Sequence, residues 1–481
     1  MSSQRGPLAL VLHSHMPYVE GFGTWPFGEE WLWEAVATVY LPLLDVLDGA
    51  PLTVGLTPVL CDQLETLPGP AGERLTAFLR GVRAAIHDED AEGLDAGGER
   101  ELADEVRRAA HDYARADEAF GALGGDLLGA LRRLEGVELW TSAASHALLP
   151  MLATDAGLAL QVATGVSSHE RRFGRFGGGL WLPECAYEPG LESALAKHGV
   201  RTFCVDQTEA HGRGALEHLE PVATAAGPVA VPIDWQTVEL VWNDVAGYPV
   251  NPTYRDYHRR TVHDLRPWNN GGGPYSHADA MALAREHARD FLDRAAARLD
   301  AYGEGRGRPG LLCCALDTEL LGHWWYEGIA WLEAVIEEAP GRGVELVTLS
   351  EALERVEPVE RQLAGSTWGR DKDLSTWDAP RVAEFAFAAR RAELRTVAAA
   401  GTGTDSPALE RAARELLVLQ ASDWAFMETR DLAAEYPEAR VQAHAAAHDA
   451  ALAALTDSRP VPEASLRNLA PELELGSLLA P

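Results

Sequence analysis

No stretch of about 18 or more uncharged apolar residues occurs in the 481-residue chain, so no membrane-spanning helix is expected. The opening MSSQRGPLALVLHSH has no long apolar core with a cleavage site. LALVL is short and His13 follows it at once, which predicts a first buried strand rather than a signal peptide. Basic residues are scarce: 41 Lys plus Arg face 73 Asp plus Glu, a net charge of −32. A surface this acidic repels nucleic acid and anionic lipid, so neither is an expected partner, and a neutral or cationic substrate is favoured. Solubility alone would also account for the excess. The five cysteines (Cys61, Cys185, Cys204, Cys313 and Cys314) are odd in number and form no CxxC pair. That argues against a zinc ribbon or a disulfide framework and predicts buried thiols in a reducing compartment, the cytoplasm. There is no internal repeat.

What is present is the composition of a soluble globular protein, 47% apolar and 24% charged, on a chain long enough for two or three domains. Short apolar runs at 8–12, 52–56, 137–141, 179–182, 201–205, 229–233, 311–316 and 344–348 are separated by segments long enough for helices. Near-continuous apolar strands alternating with helices predict a parallel sheet covered by helices. His13, Glu184, Asp206 and Asp317 stand at the ends of such runs, where a β/α barrel or an open doubly wound sheet collects its functional groups. The pattern leaves closure open. Between residues 61 and 135 the sequence turns helical and charged, with breaks at Gly97-Gly98 and Gly124-Gly125, which predicts an inserted helical subdomain. A second helical region begins near residue 379, with 401–407 as a loop between two of its helices. The last residues, 460–481, are rich in Pro and Leu without a period and are expected to be a loosely held tail.

Two motifs carry chemistry. WLPECAY sets Glu184 at a strand end between Trp181 and Tyr187, and LCCALDTELLGHWWYEG does the same for Asp317, followed by Glu319, His323, Trp324 and Trp325. Aromatic faces suit the C–H faces of sugar rings, and glycosidic cleavage needs two carboxyl groups, one as nucleophile and one as proton donor. Helix capping or ion pairing would explain either acid alone; the doubled motif favours sugar chemistry. HSHMPY puts His13 and His15 on one face of a strand end, and His146 follows another strand. Three histidines so placed fit metal ligands, hydrogen-bond donors to sugar hydroxyls, or satisfied core residues, and the spacing does not choose among these. GSTWGRDKDLSTWDAP carries Trp368 and Trp377 in a loop, where exposed tryptophans would serve binding; a loop folded down on the barrel is the alternative. Asp423, in ASDWAF, is an acid on an otherwise apolar helix face, paired or facing substrate.

Together LVLHSHMPYV, TSAASHALLP, GLWLPECAYEPGL, GYPVNPTYRDY, LDTELLGHWWYEG, STWGRDKDLSTW and QASDWAF resemble glycoside hydrolase family 57, and within it the 1,4-α-glucan branching enzymes. The resemblance runs from near residue 8 to about residue 445, with the motifs in the family's order. It implies an incomplete (β/α)7 barrel over 1–60 and 136–350, a helical insert over 61–135, a C-terminal helical domain over 351–465 closing the active site, and a tail over 466–481. It implies Glu184 as nucleophile and Asp317 as general acid/base. His13, His15 and His146 then line a sugar subsite without metal, and no cofactor is expected. Trp368, Trp377 and Asp423 match pocket positions; Trp181, Tyr248, Trp268 and His323 are added as candidate substrate-binding residues. A related-barrel deacetylase would need an acid beside its histidines, which HSH lacks. The implied activity is α-1,4 cleavage with transfer to a 6-hydroxyl on an amylose- or glycogen-like glucan, by a monomer. Hydrolysis, α-1,4 disproportionation and silent glucan binding are the alternatives. The segments 237–248 and 257–277 are shorter than the family pattern, which bears on acceptor handling more than on bond cleavage.

Overall fold

Strand β1 (Leu8–Ser14) is buried at every position, as a strand covered on both faces must be. In the computed structural model, which describes residues 5–403, 406–461 and 468–479, it lies centrally between β2 (Thr53–Leu56) and β8 (Leu312–Asp317). β3 (Glu138–Ser142) and β4 (Leu180–Trp181) extend the β2 side, all in parallel. β5 (Thr202–Val205) pairs in parallel with β7 (Val229–Pro232). A bridge from Gly179 to Thr202 joins β4 to β5, and the Asp234 N–H donates to the Cys313 carbonyl at 2.9 Å where β7 meets β8. Seven parallel strands (β1, β2, β3, β4, β5, β7, β8) therefore curl into an incomplete (β/α)7 barrel, as the resemblance implied, with a thin seam between β7 and β8. Gly179 is needed at its turn: a Cβ there would stand 2.0 Å from the Trp140 indole nitrogen.

Two expectations need correction. The run 344–348 forms no strand but a lone bridge, Leu8 to Leu346, because Thr348 is taken up as the N-cap of the helix Leu349–Arg355 in a capping box with Glu351. Conversely β6 (Val222–Ala223) and β9 (Val359–Glu360), too short for any periodicity, build a side ladder on β7.

Helices Pro70–Ala77, Ala84–Ala96, Arg100–Ala122 and Leu127–Arg133 follow β2, the first two joined by a π-helical segment, Phe78–Arg83, and the others separated at the glycine pairs. Gly98, Gly124 and Gly125 have φ of 82°, 59° and 78°, which glycine adopts without a side-chain penalty. After the barrel come Ala383–Ala400, Pro407–Leu419, Asp423–Thr429 and Tyr436–Thr456. A buried network holds these helices to the barrel. Arg411 donates to Glu415 at 2.6 Å, His444 lies 2.6 Å from the other Glu415 oxygen, and Arg440 donates to the Tyr18 carbonyl at 2.7 Å while stacking on Phe22 and Trp424. Arg411 is thus paired with Glu415. Arg440, with no carboxylate in contact among the described residues, is met by a carbonyl, the Tyr436 hydroxyl, His444 and aromatic faces, which avoids the large cost of leaving a buried charge without partners.

Of the expected loose tail over 460–481, residues 462–467, 480 and 481 lie outside the described residues, as do 404 and 405 of the 401–407 loop. Residues 468–479 are packed. The Asp62 carboxylate receives the Ala470 N–H and Arg172, each at 2.7 Å, and Leu469 and Leu478 are buried. The segment shows no period because it is anchored by polar groups of other segments rather than by a face of its own. Among the described residues no helix is long and apolar enough to cross a membrane.

Candidate active site

The strand registers assemble the site. His13 pairs with Asp317 across β1 and β8, and Ser14 pairs with Leu56, so Thr57 follows beside His15. His146 and Glu184 lie just beyond β3 and β4. Three non-glycine residues here, His146, Glu184 and Cys185, adopt left-handed φ of 61°, 59° and 49°. Such conformations cost about 1–3 kcal/mol each and persist where the surroundings over-determine them, commonly at functional sites.

Glu184 is held by two donors from distant segments. The Trp368 indole N–H donates to Oε2 at 3.0 Å, and the Ser422 hydroxyl donates to Oε1 at 3.2 Å. The network assigns the histidine protons. With Ser422 donating to Glu184, its oxygen accepts from His146 Nδ1 at 2.8 Å; His146 Nε2 then accepts from His13 Nε2 at 3.0 Å. That leaves His13 Nδ1 unprotonated, consistent with its being buried without a partner. The donors all point toward Glu184.

Electrostatics separate the groups. Burial pushes the Glu184 carboxyl up, with the Trp368 and Ser422 hydrogen bonds opposing it. Asp317 is raised well above the usual range by burial and by the carboxylates of Glu319 and Glu184. Burial, and next the neighbouring His15, push His13 and His146 well below 6.5, which favours their neutral forms. Burial would depress His15 too, but Asp423, Glu319 and Glu184 outweigh it and raise it. His15 Nε2 is 2.9 Å from Asp423 Oδ1, and Nδ1 is 3.1 Å from Thr57 Oγ1. Burial lifts Glu319 to about 7 although Tyr40 donates to it at 2.5 Å and the His15 N–H at 3.2 Å. Tyr40 sits in a π-helical segment, Val36–Tyr40, of a kind often found at functional sites.

The structure brings together His13, His15, His146, Glu184, Trp368 and Asp423, with Asp317 at the paired position on β8. It does not bring in the others. Trp181 is wholly buried, stacked 4.7 Å beneath His13 and edge-on to Trp368, so it supports these rings and offers no face to a sugar. Trp377, expected exposed, is 2% exposed and packs on Leu148 and Ala186, because its loop folds down onto the barrel. Tyr248 hydrogen-bonds to Asp290 at 2.7 Å and stacks on His287, tying its turn to the helix His277–Arg306. Trp268 lies under the Arg259 guanidinium at 4.3 Å and lines a cavity of about 420 Å³ with residues 98–102. His323 lies in the loop after β8 against Tyr257 and Trp324, with its carbonyl facing Arg266, and burial lowers it to about 4. Sequence reasoning left out Thr57, Ser422 and Tyr40 and gave Glu319 no role. Ser422 is adjacent to Asp423, which could have signalled it; Tyr40, inside an apolar helical run, gives no signal.

His15, His146 and Asp423 each offer one ligand atom, all within 4.8 Å of one another, a set able to hold a cation. Their ring nitrogens are however engaged by Thr57, Asp423, Ser422 and His13. A hydrogen-bonded network accounts for the same atoms.

Residues 126–363 match glycosyl hydrolase family 57, and residues 386–475 match the domain described as 1,4-alpha-glucan branching enzyme, C-terminal. A probable 1,4-alpha-glucan branching enzyme of Mycobacterium tuberculosis is 34% identical over 92% of this chain and 90% of its own. The chain belongs to glycosyl hydrolase family 57. Within the family, a 1,4-alpha-glucan branching enzyme of Thermococcus kodakarensis is 34% identical over 92% of this chain and 72% of its own. The crystal structure of the family 57 branching enzyme of Pyrococcus horikoshii superposes with a TM-score of 0.89 at 30% identity, covering 98% of this chain and 96% of that one. The α-amylase AmyC of Thermotoga maritima superposes at 0.81 with 25% identity, covering 95% and 94%.

Proposed function

We propose that this family 57 protein is a 1,4-α-glucan branching enzyme working by retaining double displacement. Glu184 attacks the anomeric carbon while Asp317 passes its proton to the leaving glycosidic oxygen, and the C1–O bond breaks to give a glucosyl ester on Glu184. Asp317, now a carboxylate, takes the proton of an incoming 6-hydroxyl; O6 attacks C1, the ester is released, and an α-1,6 branch results. The observation that carries this is the contrast between the two carboxyls. Glu184 is stabilised as an anion by Trp368 and Ser422, while burial and the neighbouring Glu319 and Glu184 push Asp317 well above the usual carboxylate range. Opposed environments for two carboxyls are what assign base and acid. The neutral His13–His146 pair and the His15–Asp423 pair line the glucosyl subsite, with the protein divided as 1–60 and 136–350, 61–135, and 351–465. Five buried free thiols suit a reducing, cytoplasmic setting and a protein acting as a monomer on a soluble glucan.

Incubation with amylose tests the reading. A fading iodine stain, new α-1,6 linkages and few new reducing ends are expected. Reducing ends rising without α-1,6 linkages would establish hydrolysis instead, the reading to which the likeness to AmyC points. Because the histidines are engaged with one another and with Asp423, activity is expected to survive exhaustive chelation with EDTA; a loss that zinc restores would make the His15–His146–Asp423 set a metal site.

A further inference from the structure

We propose that the Lys372–Asp206 ion pair is a positioning latch that holds Trp368 on Glu184 and keeps water from the covalent intermediate. It rests on the reading of Glu184 as nucleophile. Trp368 reaches Glu184 across 184 residues of sequence, so the contact depends on how the loop around it is pinned. At its start the loop is fixed by the Tyr187–Ser366 bridge and by the Trp368 N–H donating to the Glu184 carbonyl at 2.9 Å. Beyond Trp368 it turns back: the Lys372 N–H donates to the Gly369 carbonyl and the Thr367 N–H to the Lys372 carbonyl, each at 3.1 Å. Lys372 itself has φ 60°, a conformation that glycine or asparagine fits better than lysine. The backbone does not ask for lysine there; the side chain has a use for it.

That side chain runs down to the barrel. Its ammonium stands 2.8 Å from Asp206 Oδ2, 3.3 Å from the Trp368 carbonyl and 3.3 Å over the Trp235 ring. Asp206 is wholly buried at the end of β5, and its Oδ1 accepts the Thr208 N–H at 2.8 Å. Trp235 opens the helix after β7. One ammonium thus joins the loop carrying Trp368 to the loops after two barrel strands. A charge paired inside the protein is screened little and fixes its partner's place. Cys185, adjacent to Glu184, and Arg213 are the other titratable groups that bear on Lys372.

Releasing the latch has two consequences. Glu184 loses a donor to its anion while still facing Asp317, His15, His146, Ser422 and Asp423, so more proton is held at a given pH. The covered side of the glucosyl ester also opens to solvent. The test uses Lys372→Met, the neutral double variant Lys372→Met/Asp206→Asn, in which no buried charge is left unpaired, and Lys372→Arg. In both methionine variants the acid limb of kcat/KM is expected to move up by about half a pH unit or more, with reducing ends rising several-fold relative to α-1,6 linkages, and arginine is expected to restore both. A double variant with wild-type melting temperature, an unmoved acid limb and an unchanged product ratio would overturn the proposal. Should the wild-type protein form no α-1,6 linkages, the branching reading fails, and the latch stands or falls on the acid limb alone.

Discussion

Glu184→Gln is expected to lower turnover of amylose by roughly four orders of magnitude or more, a loss of about 5.4 kcal/mol or more of transition-state stabilisation, with the melting temperature close to wild type. Glutamine keeps the shape: its carbonyl oxygen can accept the Trp368 N–H in the place of Oε2, and its NH2 then stands in the place of Oε1, where the Ser422 hydroxyl must turn to accept instead of donate. The left-handed turn at Glu184 is set by its neighbours and not by the charge, so the fold is expected to persist. Mass spectrometry of wild-type protein trapped with a slow glucosyl donor is expected to find the adduct on the peptide containing Glu184. Retained activity in the glutamine variant, or an adduct elsewhere, would remove Glu184 from the nucleophile role.

Asp317→Asn separates the two steps. The variant cannot protonate a sugar leaving group, so amylose turnover is expected to fall by about 10²–10⁴-fold. A glucosyl or maltosyl fluoride needs no such proton; the first step is expected to persist with it and the ester to accumulate. Azide, which attacks without a base, is then expected to restore turnover and to give the α-glycosyl azide. Failure of azide to accelerate the variant would count against Asp317 as acid/base. In the wild type the signs follow from the environments. Glu184 must be ionised, so activity falls as the pH drops through its raised pKa. Asp317 must be protonated, so activity falls as the pH rises through its own, which burial first and then Glu319 and Glu184 push up. The two groups are coupled, and the limbs of the bell belong to the pair.

Much of the barrel was legible because each strand writes itself as an apolar run closing on a polar residue. The carboxyls and histidines stood out for the same reason: they end runs that packing alone would have continued. What failed was the inference from aromatic neighbourhood to substrate contact. Trp181 and Trp377 sit in the same motifs as Glu184 and Trp368, yet both are buried supports, since an indole beside a sugar site serves equally well as the floor under it. Tyr248 and Trp268 satisfy a helix and an arginine. The partners Ser422, Thr57 and Tyr40 were invisible because their meaning lies in contacts made across long sequence separations, 276 residues between Ser422 and His146 and 279 between Tyr40 and Glu319. Nothing local marks them. Positions 468–470 show the converse: a stretch with no pattern of its own is ordered by Asp62 and Tyr18.

The pairing of His15 with Asp423 spans 408 residues. During synthesis from the N-terminus the histidine strand is made early, but Ser422 and Asp423 emerge only when most of the chain has left the ribosome. Until then Glu184 lacks the Ser422 hydroxyl and His15 lacks its counter-ion, so a barrel folding as it emerges holds the carboxyls without the groups that set them against each other. The onset of activity is thereby tied to synthesis beyond Asp423, and a chain truncated before the helix Ala383–Ala400 is expected to be inactive on amylose.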